Sequence, residues 1–326
     1  DQQLGRVLDA FDRFKLWEDT MLLVNTDHGF LLGEHDWWAK VINPFFQEIA
    51  HIPFWAYDPR LPSEKGKRSN ALTQTIDLPA TILDYFDLSR PDNMQGRSIF
   101  GSRDDHNASR EAALFGVMGG HVNVTDGRYV YMRGNVTEDN SPLFEYTLMP
   151  ARMRGMFSPK ELTNWEESAG FSFTKECKLM KIPSRVPKMF TSKDNPAGAG
   201  RMSTMLFDTH ADPGQLTPIY DSILESRMIR LMLREMARND SPAEQYVRLG
   251  LPEPKGDTYD PIMPSEQAIL DACTPEPSGG REEFAAGNGI PKMPFPNIPG
   301  GKETQALSFP SNLRLSPTYP YKVDKN

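Results

Sequence analysis

The sequence predicts an α/β fold that continues into a small antiparallel sheet covered by one helix. Three observations predict it. Residues 21–24, MLLV, form an apolar run long enough for one central, buried strand. Residues 121–125 and 128–133 are two short β runs separated by Asp126-Gly127, a strong hairpin signal. Residues 218–238 place Leu224, Met228, Leu231, Met232 and Met236 on one helical stripe, with Pro218 at the start. The methionines read as core filler, since an unbranched thioether adapts to irregular gaps.

The other elements follow in order. A helix over residues 3–16 carries Leu4, Val7, Leu8 and Phe11 on one face. A strand over 20–26 leads into a loop over 27–50, and 52–57 is a second buried strand. A helix over 74–87 starts near Thr75 and turns Ile76, Leu83 and Phe86 inward. Residues 112–118 add a β run before the hairpin. The stretch from 134 to about 203 is irregular, with aromatic and methionine residues that favour packing on the surface. Thr204 to Asp208 is a further strand. Thirteen of the 28 prolines fall between 252 and 326, which disfavours an independent core there. The expected divisions are 1–105, 106–251 and a proline-rich extension, 252–326.

The chemistry concentrates in MLLVNTDHGFLLGEHDWWAK, residues 21–40. Ligands of open α/β sheets gather at the carboxyl ends of strands, and Asp27 and His28 stand at such an end. Asp27 offers hard oxygens suited to Ca²⁺ or Mg²⁺. His28 offers a neutral nitrogen that can join a mixed site. Adjacent residues share one ion only where the backbone is irregular, and Gly29 permits a sharp turn. Lys40, thirteen positions beyond Asp27, is a compact cation suited to a tetrahedral anion. Together these groups suit an anionic ester, sulfate or phosphate. Trp37 and Trp38 offer faces for a sugar ring or a plug for the core. Arg152 and Arg154 supply positive charge, to a substrate or to the surface.

Thr26-Asp27-His28-Gly29, Leu32-Gly33-Glu34-His35-Asp36 and Trp38-Ala39-Lys40 resemble the later active-site motif of the sulfatases of the alkaline phosphatase superfamily. The iduronate-2-sulfatase and phosphonate monoester hydrolase branches look most similar. Weaker likenesses follow in the family's order: residues 50–54, AHIPF; residues 75–83, TIDLPATIL; residues 125–131, TDGRYVY; and Leu206-Phe207-Asp208 with Asp212-Pro213-Gly214. The resemblance covers roughly residues 1–252 and implies the C-terminal part of an alkaline phosphatase-like sandwich.

That resemblance implies that Asp27 and His28 ligate a divalent metal, most often Ca²⁺, with Mg²⁺ or Mn²⁺ as alternatives. Lys40 would bind and stabilise the sulfate oxygens, with Trp38 against the substrate. His35 would act at the site or hold the loop, and His51 is expected to pack or to hydrogen-bond. The family also carries an early Asp pair and a C/S-x-P-x-R motif whose Cys or Ser becomes formylglycine. Neither is present in this sequence. Cys177 lies in KECKLMK, and Cys273 begins CTPEP, with Pro277 where Arg is required. The expectation is therefore a C-terminal portion of a larger protein, inactive alone, whose partner is its own N-terminal region and whose formylglycine lies there.

Composition adds exclusions. Lys plus Arg total 36 against 44 Asp plus Glu, a net charge of −8 that argues against broad nucleic-acid binding. No apolar run reaches the ~20 residues that span a membrane. Two distant cysteines exclude a disulfide-stapled scaffold. Four N-x-S/T triplets, at Asn107, Asn123, Asn135 and Asn239, match a glycosylation sequon that chance also produces. Three activities remain: hydrolysis of a sulfuric ester on a small molecule or carbohydrate, hydrolysis of a phosphodiester or phosphonate monoester on the same scaffold, or a non-catalytic role in a degenerate homologue. Localisation and oligomeric state are open.

Overall fold

A computed structural model describes residues 2–36, 38–40, 44–101, 110–152, 155–175, 177–184, 202–256 and 261–274, with only the backbone at 36, 38 and 39. The described residues all lie in one compact unit, Asp1–Met293. Asn107, Arg154, Trp37 and most of the proline-rich extension lie outside them.

The chain opens with α1 (Gln2–Phe14), whose Phe11 is buried and stacks obliquely on Trp17. β1 (Leu22–Asn25) leads to a hairpin of β2 (Leu31–Leu32) and β3 (Trp38–Ala39), then the short α2 (Gln47–Ala50) and β4 (Phe54–Tyr57). The region expected to be loop thus contains a hairpin and a helical turn. β1 pairs antiparallel with β4, Leu22 opposite Tyr57 and Asn25 opposite Phe54. Neither strand is as buried as the sequence suggests. The apolar residues of β1 are half-buried, and Trp55 in β4 is 61% exposed. Among the described residues this sheet has only two strands, so each keeps an unpaired edge.

α3 (Asp77–Tyr85) also differs in its facing. Ile76 and Phe86 are exposed, Leu83 is half-buried, and the buried positions are Asp77, Ala80 and Thr81. The helix is oriented by its polar residues. The Asp77 carboxylate accepts from the backbone N–H groups of Gln74 at 2.8 Å and Arg97 at 2.9 Å, and pairs with Arg110 at 2.5 Å. Three chain segments meet at that one buried carboxylate, which apolar periodicity does not report.

The next strands are β5 (Ala113–Gly116), β6 (Val122–Thr125) and β7 (Tyr129–Arg133). Asp126 Oδ1 accepts from the N–H groups of Arg128 and Tyr129, and Gly127 has φ of +94°, so the Asp-Gly turn closes as its residue types dictate. The stretch expected to be irregular is more ordered than its composition suggests. It holds β8 (Phe144–Thr147), β9 (Ala151–Arg152), β10 (Gly155–Met156), β11 (Glu166–Ser168) and β12 (Leu179–Pro183). β8, β12 and β11 form a second antiparallel sheet through pairings distant in sequence, such as Met180 with Thr147. Non-local pairing of short strands leaves little periodic trace.

β13 (Met205–Asp208) completes a four-stranded antiparallel sheet in the order β13-β7-β6-β5. The Arg128 side chain grips Asp208 bidentately at 3.1 and 2.6 Å, tying the hairpin turn to β13. α4 (Ser222–Arg238) is capped by Asp221, whose side chain accepts from the N–H groups of Ile223 and Leu224. α5 (Ala243–Leu249), β14 (Lys255–Gly256), β15 (Pro261–Ile262) and α6 (Glu266–Asp271) follow.

Both faces of the four-stranded sheet are buried. On one, Val124, Tyr131 and Leu206 meet Met228, Leu231, Met232 and Met236 of α4. On the other, Val130, Met132, Met205 and Phe207 meet Leu31, Phe46 and Ile49. The expected methionine stripe is core. Met232 is fully buried in it, so Met232→Ala is expected to cost about 2–5 kcal/mol, from lost burial and the cavity left behind. Urea denaturation of the full chain measures this, and a loss within experimental error of zero would remove Met232 from the core.

Candidate active-site loop

Asp27 and His28 follow directly after β1, in a turn held against α2. The Gly29 N–H donates to the Ile49 carbonyl at 2.9 Å. A Cβ at Gly29 would stand 1.7 Å from the Glu48 carbonyl oxygen, far inside contact distance. Glycine is therefore demanded by close approach of two backbones rather than by a left-handed turn. α2 is fixed in its turn by Gln215, whose side-chain carbonyl accepts from the Gln47 N–H at 2.7 Å. Phe46 and Ile49 at its ends are buried against the four-stranded sheet.

This scaffold brings three of the sequence-predicted residues together. His28 Nδ1 lies 2.8 Å from the Gly29 carbonyl. A carbonyl only accepts, so Nδ1 carries the proton and Nε2 presents a lone pair. Asp27 Oδ2 is 3.2 Å from that Nε2, and the Lys40 ammonium donates to the same nitrogen. Two acceptors so close repel unless a cation lies against both. Lys40 supplies one positive charge. The donor set, one carboxylate and one neutral imidazole with its far nitrogen anchored to a carbonyl, also fits a metal ion.

The Asp27 carboxylate is exposed, its side chain at 80%. Slight desolvation pushes its pKa up, but the neighbouring His28 ring, the backbone N–H groups of Asp27 and His28 and the Thr26 hydroxyl outweigh this and hold it below the usual 3.8. It is ionised at neutral pH. Asp27 and His28 amount to two donors, and among the described residues no cluster of three or more His, Cys, Asp or Glu side chains forms a metal cage.

His35 has separate surroundings. Its ring stacks on Phe46, centroids 3.6 Å apart and 10° from parallel, and its Nε2 lies 3.6 Å from Glu48 Oε2. Its side chain is 3% exposed, and its backbone is left-handed at φ +56°. Gly33, at φ +130°, and Glu34 complete the turn, with the Glu34 carboxylate accepting the Leu32 N–H at 2.5 Å. His35 thus pins the β2–β3 connection onto α2. β3 contains Trp38, but the Trp38 side chain lies outside the described residues. His51 is exposed just after α2.

Arg152 pairs with Glu145 at 3.0 Å and Glu161 at 2.8 Å, so its charge is already matched. Cys177 is exposed, and burial pushes the Cys273 thiol up to about 11, away from thiolate chemistry at neutral pH. The sequence reading missed Gln215 and Glu48, because residues distant in sequence show no motif linking them to the loop.

Residues 1–88 match the sequence profile described as Sulfatase. An arylsulfatase of Clostridium perfringens is 32% identical over 111 residues, 33% of this chain and 23% of that protein. An ulvan-active sulfatase of Formosa agariphila is 25% identical over 209 residues, 60% of this chain and 38% of that protein. Human iduronate 2-sulfatase is 42% identical over 59 residues, 18% of this chain and 10% of that protein. The chain therefore spans well under half the length of these curated relatives. The segment that matches this profile includes the whole Asp27–Lys40 loop.

Burial lowers the His35 pKa below 6.5, with Glu48, Glu34 and Asp212 only partly offsetting it. The folded loop therefore binds this proton less readily than the unfolded chain. Its contribution to stability is complete above 6.5 and is lost as pH falls through the lower folded value. Amide hydrogen exchange at residues 47–51 is expected to be faster at pH 5 than at pH 7.5 once the intrinsic pH dependence of exchange is removed. Equal protection at both would show that His35 does not hold this loop.

Proposed function

We propose that this chain carries the cation-holding and sulfate-holding loop of a sulfuric ester hydrolase acting on a sulfated carbohydrate. One observation carries the reading: the Asp27 carboxylate, the unprotonated Nε2 of His28 and the Lys40 ammonium converge at the end of β1. In this proposal Asp27 and His28 are ligands of a divalent cation, Ca²⁺ by preference because Asp27 is a hard oxygen donor. A cation held by these two residues would supply Lewis-acid polarisation of an ester oxygen. Lys40 binds the sulfate oxygens as a point charge. His35 acts indirectly, by keeping the β2–β3 connection seated on Phe46 and Glu48.

The match of residues 1–88 to the sulfatase profile supports the reaction class. The ulvan-active relative supports a polysaccharide as the sulfate carrier. Ca²⁺ usually takes six to eight oxygen ligands, so the proposed ion needs donors beyond these two residues. A formylglycine nucleophile belongs to the same proposal, and neither Cys177 nor Cys273 is a candidate for it.

In the intact protein, Lys40→Ala is expected to lower aryl sulfate turnover by roughly 10²–10³-fold with an unchanged circular dichroism spectrum. An unchanged rate would take Lys40 out of the site. Asp27→Ala is expected to reduce the metal retained on purification, measured by elemental analysis, and full retention would exclude Asp27 as a ligand. Parallel assays with an aryl sulfate and a phosphodiester decide the ester class. Strong preference for the phosphodiester would replace sulfate in the proposal.

A further inference from the structure

Arg248, in α5, is 1% exposed and among the largest fully buried side chains of the protein. Its Nε donates to Gln245 Oε1 at 3.0 Å. Its Nη1 donates to the Gly120 carbonyl at 3.2 Å and to Asn140 Oδ1 at 2.9 Å. All three acceptors are neutral. Among the described residues no carboxylate forms an ion pair with this guanidinium. Asn140 is itself locked, with a left-handed backbone at φ +56° and its amide donating to the Gly119 carbonyl at 2.7 Å.

Neutral acceptors orient a guanidinium without cancelling its charge. Burying an ion without a counter-ion is costly, and arginine retains its proton through the whole physiological range. Burial pushes the Arg248 pKa down, to about 10, which still leaves it charged at neutral pH. Among the described residues, Arg248 is therefore a rigid buried positive charge with no carboxylate paired to it.

That charge borders a cavity of about 480 Å³ between β8, the β5–β6 turn and the start of α5. The apolar wall includes Val122, Leu143, Phe144 and Phe157. The other charged side chains on the wall are Arg152 and Glu145, which pair bidentately at 3.0 Å, with Arg152 also paired to Glu161 at 2.8 Å. The volume lies in the range of small-molecule sites, and the mix of apolar wall with one fixed polar anchor is their usual composition.

We propose that this cavity binds a small organic anion with an apolar body, its carboxylate or sulfate group against Arg248 and its hydrocarbon or aryl part along Val122, Leu143, Phe144 and Phe157. The site is built from residues 117–157 and 242–248 and uses none of the Asp27–Lys40 loop. Its validity is therefore independent of the sulfatase reading.

Octanoate is a suitable probe, with 1-octanol as the uncharged control of equal chain length, each titrated calorimetrically into the full chain. Saturable one-to-one binding of octanoate is expected, about tenfold or more tighter than that of octanol, from the charge-assisted hydrogen bond. Arg248→Gln is expected to erase this difference. Because a buried arginine can be needed for folding, Met118→Trp serves as a second variant: Met118 lines the cavity and is exposed, so a larger ring obstructs the space without disturbing the core. It is expected to weaken octanoate binding while circular dichroism and Tm stay as in the parent. Equal affinity for octanoate and octanol, no saturable binding, or undiminished octanoate binding by a folded Met118→Trp variant would each overturn the proposal.

Discussion

The four-stranded sheet is buried on both faces, and the rest of the described structure depends on that constraint. Successive side chains of a strand point to opposite faces, so β7 sends Tyr131 toward α4 and Val130 and Met132 toward the loop after β1. β13 divides in the same way, Leu206 to one side and Met205 and Phe207 to the other. The register that pairs Leu206 with Tyr131 and Phe207 with Val130 keeps each face continuous. A one-residue slip would exchange the two faces and uncover both cores together.

The candidate site inherits its rigidity from this arrangement. Leu31, Phe46 and Ile49 are the apolar feet of the loop on the sheet, and His35 adds its ring to Phe46. Gly29 lets the Asp27-His28 turn lie directly on the backbone of α2. The Gly29 carbonyl then selects the proton position on His28, which leaves Nε2 free as an acceptor beside a carboxylate and an ammonium. A packing requirement on one glycine thereby becomes an electrostatic property of its neighbour.

Buried polar groups do the remaining long-range joining. Arg133 donates to the carbonyls of Leu249 and Ala272 and to the Tyr131 hydroxyl, which donates in turn to Glu225. This network fastens α5 and α6 to the sheet beneath α4. Arg248 and Asn140 do similar work beside the second sheet, without a carboxylate. Such groups break no hydrophobic period and match no turn rule, so only their burial reveals them.

Much of the local structure was legible in the chain itself. The Asp126-Gly127 hairpin, the α4 stripe, the α1 amphipathic face and the TDHG-to-Lys40 spacing rest on interactions between residues close in sequence, and local periodicity records those. The outward facing of Ile76, Phe86 and Trp55 was not legible, because periodicity says that a face is apolar but not what covers it. Nor was the β8-β12-β11 sheet, in which β12 pairs with the sequence-distant β8, Met180 opposite Thr147. The residue types of the loop were written in the sequence. Their convergence on one nitrogen, and the diversion of His35 to packing, were decided by the tertiary structure, since direction and proton position depend on backbones that approach from elsewhere in the chain.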